Sequence, residues 1–266
     1  MTFDPRQSIS TYGYGLQSLA ILVHGPTKVG KTRLAGTTGV PAKTLILAGE
    51  PGLVSLREHK IRVYEIDTLA KLFGAITWLE AASRDGKLAG WWVFLDSISD
   101  IAERLLRHLK TTPNANGKLP DPRHAYGDVN DAMTDAIKRL RNLACNIVII
   151  AEQERVEKPD GTTLYGPSMP GQKLSSKMGY KFDIELAMHA AKDADGRVYS
   201  WLQCQADGRF EAGDRTGALA PAEPPDLAAL AAKIRATMPT TTPQEVEATP
   251  AETPAVETTT EKPESV

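Results

Sequence analysis

Two apolar periods alternate along the chain. Short, nearly continuous apolar runs stand at residues 19–23, 43–48, 91–95 and 146–151. Runs of this length without polar alternation predict strands buried on both faces, as in a parallel sheet. Residues 61–66 alternate and predict a further strand. Between the runs the period becomes helical. Leu69, Leu72, Phe73, Ile76 and Leu79 share one stripe, as do Ile101, Leu105 and Leu109, and Val129, Met133, Ile137 and Leu140. These spacings predict helices over 69–82, 98–109 and 128–143. Strands alternating with helices predict an α/β fold with a mostly parallel sheet sandwiched by helices.

The remaining stretches set the organisation. Residues 111–125, rich in Pro, Asn and Gly, predict an exposed loop, and 154–172 a long polar one. Residues 182–188 and 197–203 predict two strands turning at Asp195-Gly196, an antiparallel extension at one sheet edge. Residues 226–238 predict a last helix. The expected domains are a lead-in over 1–17, a core over 18–220, a C-terminal helix over 221–238 and a tail over 239–266. The lead-in carries Tyr12 and Tyr14, which would cover the sheet edge or stack on a base. The tail holds Thr, Pro and Ala with six glutamates against Lys262. That composition cannot bury enough surface to offset the entropy of ordering, so it predicts a disordered acidic tail.

Composition narrows the classes. Two cysteines, Cys145 and Cys204, lie far apart with no Cys or His at ligand spacing, which argues against a disulfide scaffold or a zinc site. His24 reads as a packing residue. No apolar run suits a bilayer and no signal core opens the chain, so the expectation is a cytoplasmic protein without a membrane partner. A net charge of −2 specifies no partner.

The candidate chemistry begins at Gly25-Pro-Thr-Lys-Val-Gly-Lys-Thr32, the spacing of a phosphate-binding loop. Glycines let successive N–H groups curl toward phosphate oxygens, and a helix opening over 32–35 would add its positive end. Gly25, Pro26, Thr27, Lys28, Val29, Gly30, Lys31, Thr32 and Arg33 are the candidate nucleotide contacts. Lys31 would reach the β- and γ-phosphates and Thr32 would ligate Mg²⁺. Ligands of open α/β sheets lie at the carboxyl ends of the strands. Asp96, after four apolar residues, suits a carboxylate of the Mg²⁺ shell, or else the cap of the following helix. Glu50, held extended by Pro51, suits the base that orients water. Gln153, or Glu152 beside it, suits a group that senses the γ-phosphate.

These segments together resemble the RecA-like ATPases. The matching pieces are Gly25–Thr32, Leu45-Ile-Leu-Ala-Gly-Glu50, Phe94-Leu-Asp-Ser-Ile-Ser99 and Val148-Ile-Ile-Ala-Glu-Gln153. Glu50-Pro51-Gly52 and Asp214-Arg215 resemble phage-encoded RecA-like core ATPases, some of which are single-strand annealing proteins. The resemblance implies ATP and Mg²⁺ as cofactors, Glu50 as catalytic base with Lys31, Asp96 and Thr32 at the metal, and Gln153 opening a DNA-binding loop. It implies single-stranded DNA as partner, through Arg155, Lys158, Lys173 and Lys177, with Lys110, Lys118, Arg123, His124 and Tyr126 in an earlier loop. It further implies a ring or filament of identical chains, with Arg215 reaching a neighbour's phosphate, and a single-stranded-DNA-binding protein as a candidate partner. The resulting expectation is a DNA-dependent ATPase of phage-type recombination or annealing in the host cytoplasm. Two rival readings are an ATP switch that loads or regulates a replication partner, and a small-molecule kinase.

Overall fold

The computed structural model describes residues 18–50, 53–113, 117, 121–158, 160–171, 175 and 177–237. The lead-in, the tail, Pro51, Gly52, Lys118 and Lys173 lie outside the described residues. Six strands run parallel: β1 (Ala20–Gly25), β2 (Thr44–Ala48), β3 (Arg62–Glu65), β4 (Trp92–Asp96), β5 (Asn146–Glu157) and β7 (Ile184–Lys192). The antiparallel members are β6 (Thr163–Pro167), β8 (Val198–Gln203), β9 (Gly213–Asp214) and β10 (Ala222–Glu223). Across the sheet the order is β10-β8-β7-β1-β5-β4-β2-β3, with β6 on β5 and β9 on β7. The expected α/β architecture with an antiparallel edge is therefore what the chain adopts.

The apolar runs are buried on both faces, as parallel strands must be. Leu22, Leu47, Leu95 and Ile149 face three helices: α1 (Leu69–Arg84), α2 (Ile98–Thr111) and α3 (Pro122–Arg141). Val23, Ile46, Phe94 and Ile150 face the opposite layer, where α4 (Leu227–Thr237) packs with Leu34 and Ala35. No helix among the described residues is long and apolar enough to cross a membrane.

Three expectations need correction. The segment after the phosphate loop is a six-residue 3₁₀ helix, Thr32–Thr37, and not the start of an α-helix. Gly36 lies within its last turn and Gly39 stands where its continuation would run, with a φ of 72°. The third helix begins six residues before Asp128, because Asp121 caps it by accepting from Arg123 N and its face extends back to the buried Ala125. Residues 154–172 are not a loop throughout. β5 continues past the sheet to Glu157 and returns as β6, pairing Gln153 with Pro167 through Glu157 with Thr163.

Candidate nucleotide site

Topology brings the candidate residues together. β5 lies between β1 and β4, and β4 is followed by β2, so four adjacent parallel strands end side by side. Gly25 is in register with Glu152, and Ala48 with Asp96. Gly49 N then donates to Asp96 O over 2.7 Å, which fastens the exit of β2 to the end of β4. Glu50, exposed, follows directly.

The loop itself is shaped by backbone conformation. Lys28 takes a φ of 65° and Gly30 one of 113°. Alternating left-handed residues in this way turns successive N–H groups to one side, the concavity that binds anions. Gly25 is fixed by space: a Cβ there would stand 2.6 Å from the carbonyl oxygen of Met188 on β7. Lys31 Nζ donates to Gly25 O at 2.7 Å and Pro26 O at 3.0 Å. Burial lowers its pKa, opposed by the charges of Asp96, Glu152, Asp100 and Glu50. One cation thus faces four carboxylates.

Thr32 Oγ1 donates to Asp96 Oδ2 over 2.6 Å, and burial raises the Asp96 carboxyl. A hydroxyl against a carboxylate is a hard-oxygen donor set, which suits Mg²⁺. Among the described residues no group of three or more His, Cys, Asp or Glu converges on a metal position. The two readings of Asp96 separate here. Ser97, not Asp96, caps α2, accepting from Asp100 N. The Asp96–Ser97 peptide is cis.

Three residues at the site were not expected. Hydrogen bonding to Asp100 is the largest of the influences that push the Glu50 carboxyl up to about 7, followed by burial and the charges of Asp100, Glu152 and Asp96. Arg104, one turn further along α2, donates to the carbonyls of Gly49 and Ile66. Ser99 Oγ donates to Ser168 O at 2.7 Å and accepts from Glu152 N at 2.9 Å, tying α2 to the end of β5. The i, i+4 spacing of Asp100 and Arg104 put both on one face of a predicted helix, but nothing in the sequence aimed that face at β2.

Gln153 stands where β5 leaves the sheet, half-buried, its Oε1 without a partner among the described residues. Glu152, the other candidate, is exposed, and its carboxyl is raised by burial and then by Asp100. His24 is indeed buried. Its Nε2 meets Glu211 O at 2.7 Å, and burial lowers its pKa to about 4.

The candidate DNA contacts divide. Arg155 and Lys158 are exposed on the β5–β6 hairpin, interleaved with Glu154, Glu157 and Asp160. Residues 168–171 instead lie across Arg107, Lys110 and Tyr126, forming an open cleft of about 420 Å³. There Lys110 Nζ lies 4.3 Å over the Tyr126 ring. Lys177 is exposed further along. Arg215 does not join the phosphate site of its own chain. Its N–H bonds Asp183 O and its guanidinium bonds Tyr180 O, just before β7 begins.

A family model described as an AAA domain matches residues 17–216. No curated protein matches the chain in sequence. Among solved structures the chain is similar to a prototypical ATPase from the type III secretion system of pathogenic bacteria, at 14% identity and a TM-score of 0.38. That likeness covers 65% of this chain and 54% of the other.

Proposed function

The chain belongs to the AAA domain family and is a P-loop ATPase, and from that premise we propose that it hydrolyses ATP with Mg²⁺ and couples the cycle to single-stranded DNA in recombination or annealing. The observation that carries the ATPase reading is the convergence of Lys31, Thr32, Asp96 and Glu50 beyond the ends of β1, β4 and β2. The N–H groups of residues 25–32 and the Lys31 ammonium hold the triphosphate. Thr32 and Asp96 would hold the shell of Mg²⁺, which would supply positive charge to offset that developing on the phosphates. Glu50 accepts the proton of the attacking water. A carboxyl near 7 suits that task, because about half of it is ionised at neutral pH and the ionised form is basic enough to take the proton.

The DNA half of the proposal rests on the cleft between residues 168–171 and the Arg107, Lys110 and Tyr126 side chains. Cations with an adjacent aromatic ring suit sequence-independent binding of single strands. A ring or filament, with Arg215 acting on a neighbour's phosphate, belongs to the same proposal.

The test is the ATP hydrolysis rate with and without single-stranded DNA. Stimulation by DNA is the expected result. Hydrolysis indifferent to DNA would replace the second half of the proposal with an ATP switch acting on a protein partner.

A further inference from the structure

A line of aromatic rings crosses the back of the strands that hold the phosphate loop, and no step above uses it. In the β7–β8 pair His189 stands opposite Trp201, so both side chains leave the same face, and Tyr199 is next along that face. Beyond β7, Phe210 lies in register with Tyr165 of β6. Successive ring centroids are close. Tyr199 is 5.6 Å from Trp201, Trp201 5.0 Å from His189, His189 4.5 Å from Phe210 and Phe210 4.9 Å from Tyr165. The other face of the same strands meets the loop. Ser200, between Tyr199 and Trp201, donates to Val29 O at 3.1 Å, and Met188, beside His189, shares a core with Val29.

The rings are held in place. His189 Nε2 meets Gln203 Oε1 at 2.9 Å. Asp207 Oδ1 accepts from Arg209 N at 2.9 Å and from Phe210 N at 2.7 Å, which sets the turn that presents Phe210. The Arg209 guanidinium stands 5.5 Å from the Tyr165 centroid and 5.6 Å from that of Phe210. Arg155, exposed and opposite Tyr165 in the hairpin, shares its face.

A simpler role for the rings is packing. None of them is buried, however, and none joins either hydrophobic core. Tyr199 is 50% exposed. Rings that served only to cover the sheet would gain by burial, and these keep surface in water.

From this arrangement we infer that the rings from Tyr199 to Tyr165 form a stacking platform for the bases of single-stranded DNA, with Arg209 meeting phosphates at its Tyr165 end. Every base offers a π-face, so rings beside guanidinium groups bind a strand without reading its sequence. Bases in a duplex are already stacked on one another and do not present those faces. The platform leads into the cleft at residues 168–171, because β6, which carries Tyr165, ends at Pro167 and passes directly into Ser168. The inference rests on single-stranded DNA as the partner, and it extends the contact from the cleft to the face behind the phosphate loop.

The experiment measures the affinity of the full-length protein for two labelled strands of equal length, oligo-dT and an abasic strand with the same phosphates and no bases. Fluorescence anisotropy at one salt concentration reads both. The wild type should bind oligo-dT more tightly than the abasic strand. Tyr199→Leu and Trp201→Leu keep an apolar side chain and remove the ring. Each should weaken oligo-dT binding about 5-fold or more, the low end of what one stacked base contributes. Each should leave affinity for the abasic strand within about twofold, since phosphate contacts persist, which also shows that the variant is folded. Trp201→Phe restores a ring and should recover most of the loss. Unchanged oligo-dT affinity in both leucine variants overturns the inference and leaves the DNA reading to the cleft. So does an equal loss on both strands, the mark of a packing role, or a wild type that binds both strands alike. A wild type that binds neither strand overturns the DNA reading and this inference together.

Discussion

Lys31 donates to the carbonyls of Gly25 and Pro26 while four carboxylates lie around it. An excess of negative charge at a triphosphate site is tolerable only with cations to offset it, and Lys31 supplies the one the loop itself contributes. Lys31→Ala should weaken MgATP binding about 10- to 100-fold, the value of one or two hydrogen bonds to a charged group, measured by titration calorimetry. Undiminished affinity would remove the loop from the function. Asp96 shows how far residue-level reading reaches. Its place after an apolar run allowed either a metal acid or a helix cap. The Ser97 cap removes the second, because only the folded backbone shows whose oxygen meets Asp100 N, and the Thr32 contact is what the first proposes. Arg104 shares a predicted helix face with Asp100, but only the fold brings its guanidinium to the carbonyl of Gly49, 55 positions earlier.

At the scale of elements, two departures from expectation have separate local causes. The 3₁₀ stretch Thr32–Thr37 is short because its glycines favour other conformations. It therefore adds little dipole, and the anion-binding task falls to the loop N–H groups. The β5–β6 hairpin was hidden because Gln153–Glu157 holds a single apolar residue, Val156, and Thr163–Pro167 is too short to show a period. Hydrophobic period cannot reveal a strand that buries little, and only the pairing of Arg155 with Tyr165 and its neighbours makes it one. The consequence is a prediction about which element binds DNA. In the Arg107→Ala, Lys110→Ala double variant, losing two phosphate contacts should reduce the salt slope of single-strand affinity by about 1.4, at about 0.7 per contact. Fluorescence anisotropy across a salt series reads this directly. The same changes at Arg155 and Lys158, diluted by neighbouring acids, should have the smaller effect, and the reverse order would move the site to the hairpin.

In the whole molecule, the sheet is a platform that keeps four strand ends in register, and its rigidity comes from burial on both faces. Phe94 is wholly buried at the middle of β4, in register with Val148 of β5. Phe94→Ala should destabilise the protein by about 3–5 kcal/mol, seen as a lower urea midpoint, and should impair ATP turnover through the displaced Asp96. An unchanged midpoint would mean that this core is not what holds the site. The sequence by itself determined the alternation of buried strands and helices, the phosphate loop, and the acids at strand ends. Each depends on local periodicity or spacing, which a chain displays without folding. Only the tertiary structure decided which strand lies beside which, and therefore that β5 stands between the loop and Asp96. It alone set α2 against Gly49 and placed Arg215 just before β7 begins. Those are contacts between residues distant in sequence, chosen by packing and register, and no local pattern encodes them.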